Sequence, residues 1–428
     1  MLNVQRIRKL FPGLNELVPL EDGRRTLGIN LDNAATTPPF IYALNSISNF
    51  SPMYSSIHRG TGYKSIMCSE FYEEARESIL DFLNAPRNKY TVIFVKNTTE
   101  GLNLLSHKLV EKNDNVLSTF MEHHSNDLPW RNKCKLDYVD INEDGSLNML
   151  DLESKLIEKD IKYLTVTGAS NVTGCVNDIN ALASLCHRYG TRIIVDGAQL
   201  IPHKSINMSG CCIEEEIDFL VFSAHKMYAP FGIGVIVAKK EFLEDNNEPF
   251  IKGGGTVELV TKDIAIWDRS PLKDEGGTPN ILGIVALISS MKLLNQIGMD
   301  NIHDEEIKLT SYLLNNLKRL PITVYGPNNA KNKVGIVSFN ISPLYHEQVA
   351  TKLSNEFGIA VRNGCFCAHP YVEKLLKIPE EEIEYYVKNY DKVKKPGMVR
   401  ASLGVYNTRE EIDRFLYAIE YIIRRRYI

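Results

Sequence analysis

The chain has 428 residues, 44% hydrophobic and 24% charged, with a net charge of −4. That is the profile of a soluble globular protein long enough for two domains and one large buried core. The charge gives no bulk reason to expect nucleic acid or an anionic membrane as partner.

The basic start, with Arg6, Arg8 and Lys9, is cut short by Pro12 and Gly13, so it lacks the apolar region of a secretory signal. No apolar run approaches the roughly 20 residues that span a bilayer. From about residue 65 to 290, short apolar runs alternate with amphipathic stretches. Strands are expected at Thr91–Val95, Asn115–Thr119, Tyr163–Thr167, Arg192–Val195, Phe219–Phe222 and Gly234–Ala238. Helices are expected at Cys68–Leu83, Glu100–His107, Leu150–Lys159 and Ile179–Tyr189. Such alternation predicts an α/β fold with a mainly parallel sheet covered on both faces. Beyond about Met299 the order loosens to helix (Asp304–Leu317), strand (Gly335–Ile341), helix (His346–Phe357), a motif loop and a last helix (Thr408–Arg425). This division predicts an N-terminal arm over 1–28 packing with the smaller domain, a large domain over 29–298 and a smaller α+β domain over 299–428. Residues Ile378–Lys395, dense in Glu, Lys and Tyr, read as an exposed insertion with helical and loop parts. Eight cysteines scattered through so long a chain point to a reduced, cytoplasmic setting rather than a disulfide framework.

Polar groups gather at the carboxyl ends of the expected strands, where ligands sit in open α/β sheets. Lys226 follows the run Phe219–Phe222, and Asp196 closes Arg192–Val195. A strand-end lysine can form an imine with an aldehyde cofactor, and a neighbouring aspartate can hold a protonated ring nitrogen. That pairing is the mark of pyridoxal 5'-phosphate (PLP) chemistry. Ser223 and His225 are placed to donate to the phosphate, Gln199 to reach the ring hydroxyl, and Asn171 to donate to that hydroxyl or in the imine region. Thr98 and Thr99 open a helix whose free amides attract an anion. A histidine of the pair His123 and His124 stacks on the ring; sequence alone does not say which. His58-Arg-Gly-Thr-Gly-Tyr-Lys-Ser65 lacks the spacing of a nucleotide-binding loop, and no G-x-G-x-x-G opens a helix after a strand.

A second segment, Val361-Arg-Asn-Gly-Cys365-Phe-Cys367-Ala-His-Pro370, sets thiols in a glycine-containing loop near Arg and His, where a thiolate can form. Cys365, Cys367 and His369 are also a weak metal- or cluster-binding set. Arg400 in a late strand suits an α-carboxylate, its planar fork matching two oxygens.

Together these motifs resemble class V, fold-type I PLP enzymes, most closely the cysteine desulfurase and selenocysteine lyase branch. The resemblance runs from Leu31-Asp-Asn-Ala-Ala-Thr-Thr-Pro38 through Asn97-Thr-Thr-Glu-Gly101, Met121-Glu-His-His-Ser-Asn126 and Ser223-Ala-His-Lys226. It continues to Gly277-Thr-Pro-Asn280 and Arg400-Ala-Ser-Leu403. It implies a large domain with a sheet of the seven-stranded type, PLP on Lys226, and His123 as the stacking and catalytic histidine. By the same resemblance Thr278 reaches the phosphate of a second subunit in a homodimer, and Arg400 and Asn33 bind substrate. Cys367 corresponds to the sulfur-accepting cysteine. The implied reaction converts L-cysteine to L-alanine: Lys226 removes the α-proton, and sulfur passes to Cys367 as a persulfide. An acceptor protein in iron–sulfur cluster or thio-cofactor assembly then takes the sulfur. Where the family often has paired histidines before the nucleophile, this chain has Cys365 and Phe366. The rival reading is another class V enzyme, an aminotransferase, lyase or epimerase on a small amino acid, in which Cys367 is not catalytic.

Overall fold

In a computed structural model of the chain, which describes residues 3–244 and 247–425, strands and helices alternate as the sequence pattern requires. The outermost residues of the expected arm and small domain, 1–2 and 426–428, lie outside the described residues. The large sheet comprises β1 (Tyr90–Val95), β2 (Asn115–Thr119), β3 (Lys135–Val139), β4 (Tyr163–Thr167), β5 (Arg192–Asp196), β6 (Phe219–Ser223) and β7 (Gly234–Lys239). Its spatial order is β1-β7-β6-β5-β4-β2-β3. Only β7 runs antiparallel to its neighbours. β4, β6 and β7 are buried along their whole length, which is why β6 and β7 read as near-continuous apolar runs and β4 as Tyr, Leu, Val and Thr. β3 was not expected: as an edge strand with Lys135 exposed and Asp137 half-buried, it carries no continuous apolar signal.

Two glycines set the sheet's working edge. A Cβ on Gly101 would lie 2.6 Å from Val221, so only glycine lets helix α1 (Thr98–Leu109) press onto the sheet. A Cβ on Gly234 would lie 2.6 Å from the Asn97 backbone, so β7 can start directly beneath the α1 cap.

The smaller sheet joins β8 (Thr323–Tyr325), β9 (Ile336–Asn340), β10 (Arg362–Gly364) and β11 (Met398–Ser402), in the antiparallel order β8-β9-β11-β10. A separate core forms around it from Val337, Phe339, Leu353, Phe415 and Ile419. The helix Met299–Leu317 spans both units: Met299 and Ile302 pack in the larger core, Leu313 and Leu317 in the smaller. The arm also divides. Arg8 bonds Glu411 and Thr26 accepts from Arg414, yet Ile7 and Phe11 enter the larger core. Within 378–395 a helix spans Glu380–Lys388 with no buried residue, matching the exposed mixed segment read from composition. Among the described residues no single helix is long and apolar enough to cross a bilayer.

Candidate active site

A cavity of about 510 Å³ opens beyond the carboxyl ends of the large sheet, closed on one side by the smaller unit. Thr98, Thr99, His123, Asn171, Asp196, Gln199, Ser223, His225, Lys226, Cys367 and Arg400 all line it. Residues from eight separate chain segments meet there, a convergence that spacing in sequence cannot express.

One end is built for an anion. Asn97 caps α1 by accepting from the Glu100 amide, and the Thr98 amide donates to Ser223 Oγ at 2.8 Å. The Thr98 and Ser223 hydroxyls lie 2.7 Å apart, and the Thr99 hydroxyl meets Ser125 Oγ at 2.7 Å. Among the described residues the Thr99 amide has no hydrogen-bond partner, leaving one donor at a helix N-terminus beside hydroxyls. His225 bonds Thr36 through Nδ1, and burial beside Lys226 lowers its pKa to about 4. The Thr37 amide and hydroxyl both donate to the His225 carbonyl, so the Leu31–Pro38 motif fixes the turn that carries Lys226.

The middle of the cavity holds opposed charges. Asp196, 4% exposed, accepts one hydrogen bond, from the Ala198 amide at 2.9 Å. Burial raises its pKa. Lys226 makes no hydrogen bond or ion pair with any described residue, and burial lowers its pKa to about 8 against the pull of Asp196. His123 faces the cavity, while His124 turns away and stacks on His369, with centroids 5.0 Å apart and planes at 8°. The pair is thereby sorted. The Ser125 amide donates to His123 Nδ1 at 3.1 Å, so the ring proton sits on Nε2. Burial and the nearby Lys226 hold the His123 pKa down near 3. Gln199 gives one amide proton to the Ala34 carbonyl and keeps the rest of its polar group for the cavity.

At the far end Arg400 is 3% exposed, and burial lowers its pKa to about 10. Its guanidinium donates to the Asn171 carbonyl at 2.9 Å and to Asp32 at 3.2 Å; its Nε is buried with no partner. Arg362 shares Asp32 at 3.5 Å and lines the cavity with Asn363. Asp32, Arg362, Asn363 and Ser125 escaped the sequence reading, although each lies inside a motif quoted for another residue.

Cys367 is exposed at the cavity mouth, in a turn closed by the Ala368 amide donating to the Cys365 carbonyl at 2.9 Å. Phe366 and Cys367 both adopt left-handed backbone, φ 53° and 55°. Each such residue costs roughly 1–2 kcal/mol when it carries a Cβ. The turn is held by bonds to successive carbonyls: Asn171 Nδ2 donates to Phe366 O at 2.7 Å and the His124 amide to Cys367 O at 2.7 Å.

Two expectations need correction, Asn33 as a cavity residue and the Cys365, Cys367 and His369 metal set. Asn33 does not line the cavity: its amide donates to Ser402 O at 2.9 Å and its oxygen accepts from Tyr406 at 2.6 Å, so it pins the end of β11. Thr278, expected to serve a second subunit, is no exception to its expectation: it sits on an exposed turn outside this chain's own Lys226 cavity. Cys365 points away, its buried thiol donating to Pro396 O at 2.9 Å with its pKa pushed up to about 12. That orientation, with His369 engaged by His124, disperses the proposed metal set. Among the described residues no group of three or more such side chains could hold an ion.

An open, mostly parallel sheet with a lysine, an aspartate and a helix N-terminus converging at its carboxyl edge defines an α/β enzyme of the fold-type I class. The Aminotransferase class-V family description matches residues 29–415. A chain named probable cysteine desulfurase from Halalkalibacterium halodurans is 35% identical, over 98% of this chain and 98% of that one. A cysteine desulfurase from Escherichia coli is 33% identical over 99% and 98%. A solved apo cysteine desulfurase from Thermococcus onnurineus superposes with a TM-score of 0.86 at 31% identity, over 99% and 98% of the two chains. The chain belongs to the class V aminotransferase family, whose members are PLP-dependent.

Proposed function

We propose that the chain is a PLP-dependent cysteine desulfurase that converts L-cysteine to L-alanine and carries the sulfur on Cys367. The observation that carries the reading is the single cavity that sets Lys226 and Asp196 at its centre, Arg400 at one end and an exposed Cys367 at its mouth. The residues fit PLP: a buried carboxylate with one hydrogen bond awaits a cation, and an unpartnered helix-terminal amide awaits a phosphate. In this reading Asp196 holds the ring nitrogen, Gln199 and Asn171 the ring hydroxyl, and Thr98, Thr99, Ser223 and His225 the phosphate. When bound at Lys226, PLP supplies an electron sink for the charge left at the substrate Cα.

The chain's own groups do the rest. Arg400, with Nε uncommitted, takes the substrate carboxylate and so fixes which face of Cα meets Lys226. The Lys226 amine, brought within reach of neutrality by burial, accepts the α-proton. His123 stays neutral and covers the ring without adding charge. The Cys367 thiolate then attacks the substrate sulfur; the S–S bond forms as the Cβ–S bond breaks, leaving a persulfide. Alanine departs after Cα and Cβ are reprotonated.

A homodimer belongs to the same reading. Thr278 is exposed and lies outside the Lys226 cavity of its own chain, and the hairpin around 257–267 leaves Leu259, Val260, Ile264 and Ile266 exposed. These are the features of a surface that a second copy covers. All eight cysteines are free, which suits a reduced, cytoplasmic setting and sulfur delivery to an acceptor protein. The test is L-cysteine turnover with alanine and reductant-released sulfide both measured. Equal yields, lost in Cys367→Ala, support the proposal. Full alanine production by that variant refutes it and leaves another class V reaction in its place.

A further inference from the structure

The loop bearing Cys367 is not held by its own sheet alone. Its two left-handed residues expose successive carbonyls, and both are bonded by the larger unit. One donor, the His124 amide, is backbone and indifferent to substitution. The other is the side chain of Asn171, 5% exposed. The backbone of the same residue accepts from Arg400, whose guanidinium lies 4.8 Å from the centre of the Phe366 ring. Arg400, Asn171 and Phe366 therefore form a closed ring of contacts: guanidinium to carbonyl, amide to carbonyl, aromatic face to guanidinium.

The Asn171 turn is itself rigid. Ser170 Oγ accepts from the Val172 and Thr173 amides, Ser338 Oγ donates to Val172 O, and the Val334 amide donates to Gly174 O. A fixed turn can hold a strained one. We propose that Asn171 is a positioning residue for the nucleophile, latching the Cys367 turn in its left-handed conformation and tying it to the arginine at the carboxylate end. The inference deepens the desulfurase reading, which makes Cys367 the nucleophile. It assigns Asn171 a task beyond a contact with the cofactor ring. Because the latch is made entirely of this chain's atoms, it exists before any cofactor or substrate arrives.

The experiment follows alkylation of each cysteine by iodoacetamide in cofactor-free protein, resolved by peptide mass spectrometry. The exposed Cys211 and Cys212 act as internal references. Asn171→Asp sets a carboxylate oxygen against Phe366 O in place of a donor. Its Cys367 should alkylate about fivefold faster or more, while the reference thiols keep their rates. In the PLP-loaded enzyme the same variant should lose about tenfold in kcat for sulfur transfer per PLP-loaded site, with loading counted by absorbance and KM for L-cysteine within about twofold. Arg400→Met removes both the donor to Asn171 O and the cation against Phe366. It should quicken Cys367 alkylation about twofold to threefold, and it decides the matter should Asn171→Asp fail to fold. Unchanged Cys367 alkylation in these variants, or activity lost only in step with lost PLP loading, overturns the latch. The alkylation arm involves no turnover, so failure of the desulfurase reading in Cys367→Ala and failure of the latch are separate results.

Discussion

Replacing Asp196 with Asn should move stability and function in opposite directions. The carboxylate is 4% exposed with one hydrogen bond, and burial raises its pKa. The folded chain thus binds this proton more tightly than the unfolded chain does. The contribution is favourable below the unfolded value of about 3.9 and is lost as pH rises through the folded value. At pH 7.5 the charge therefore opposes the cofactor-free fold. A neutral amide of the same shape relieves an under-solvated group worth about 2 kcal/mol. At about 2.1 cal/mol/K per residue, 428 residues give an unfolding entropy near 0.9 kcal/mol/K. Cofactor-free Asp196→Asn should accordingly melt about 2 °C higher. With PLP present the sign reverses, because the protonated ring nitrogen loses its partner. Removing one member of a buried pair costs about 3–5 kcal/mol, so PLP affinity or turnover should fall by roughly two to four orders of magnitude. Thermal melts of both forms, a PLP titration by absorbance and L-cysteine turnover make the comparison. A lower melting temperature without cofactor, together with unchanged PLP affinity, would refute the reasoning.

Capture of PLP by cofactor-free protein requires a neutral Lys226 amine, so its rate should rise with pH through a midpoint of about 8; a midpoint near the ordinary lysine value would contradict the burial argument. Arg400→Lys keeps the charge but loses the planar fork, and kcat/KM for L-cysteine should drop about tenfold to a hundredfold, mostly through KM; steady-state kinetics tests this. Gly234→Ala forces a methyl against the Asn97 backbone, so PLP affinity should weaken by about tenfold or more as the anion end is displaced, measured by titration.

The cofactor end was legible because its residues follow strands that are themselves conspicuous. β5 and β6 are built on buried Ile, Val, Leu and Phe and β4 on buried Tyr, Leu, Val and Thr, and in a parallel sheet such strands end on the same edge. Asn171, Asp196, Ser223 and Lys226 therefore share an address that local sequence declares. β3 escaped because an edge strand has one side in solvent and its pattern is mixed.

The substrate end depends on chain crossings that no local pattern records. Asp32 meets Arg400 across 368 positions, and Asn171 meets Phe366 across 195. Sequence also could not divide equivalent neighbours. Backbone direction after β2 sends His123 into the cavity and His124 against His369, and the left-handed turn aims Cys367 outward while Cys365 goes to Pro396. Asn33, carried by its motif, proved committed to β11 through bonds that only the folded chain can make. Composition and the period of the buried runs determined the sheet, its working edge and the chemistry of the residues placed there. Which of those residues face one another was decided by tertiary packing, since a hydrogen bond between distant segments depends on where the backbone returns rather than on what flanks it.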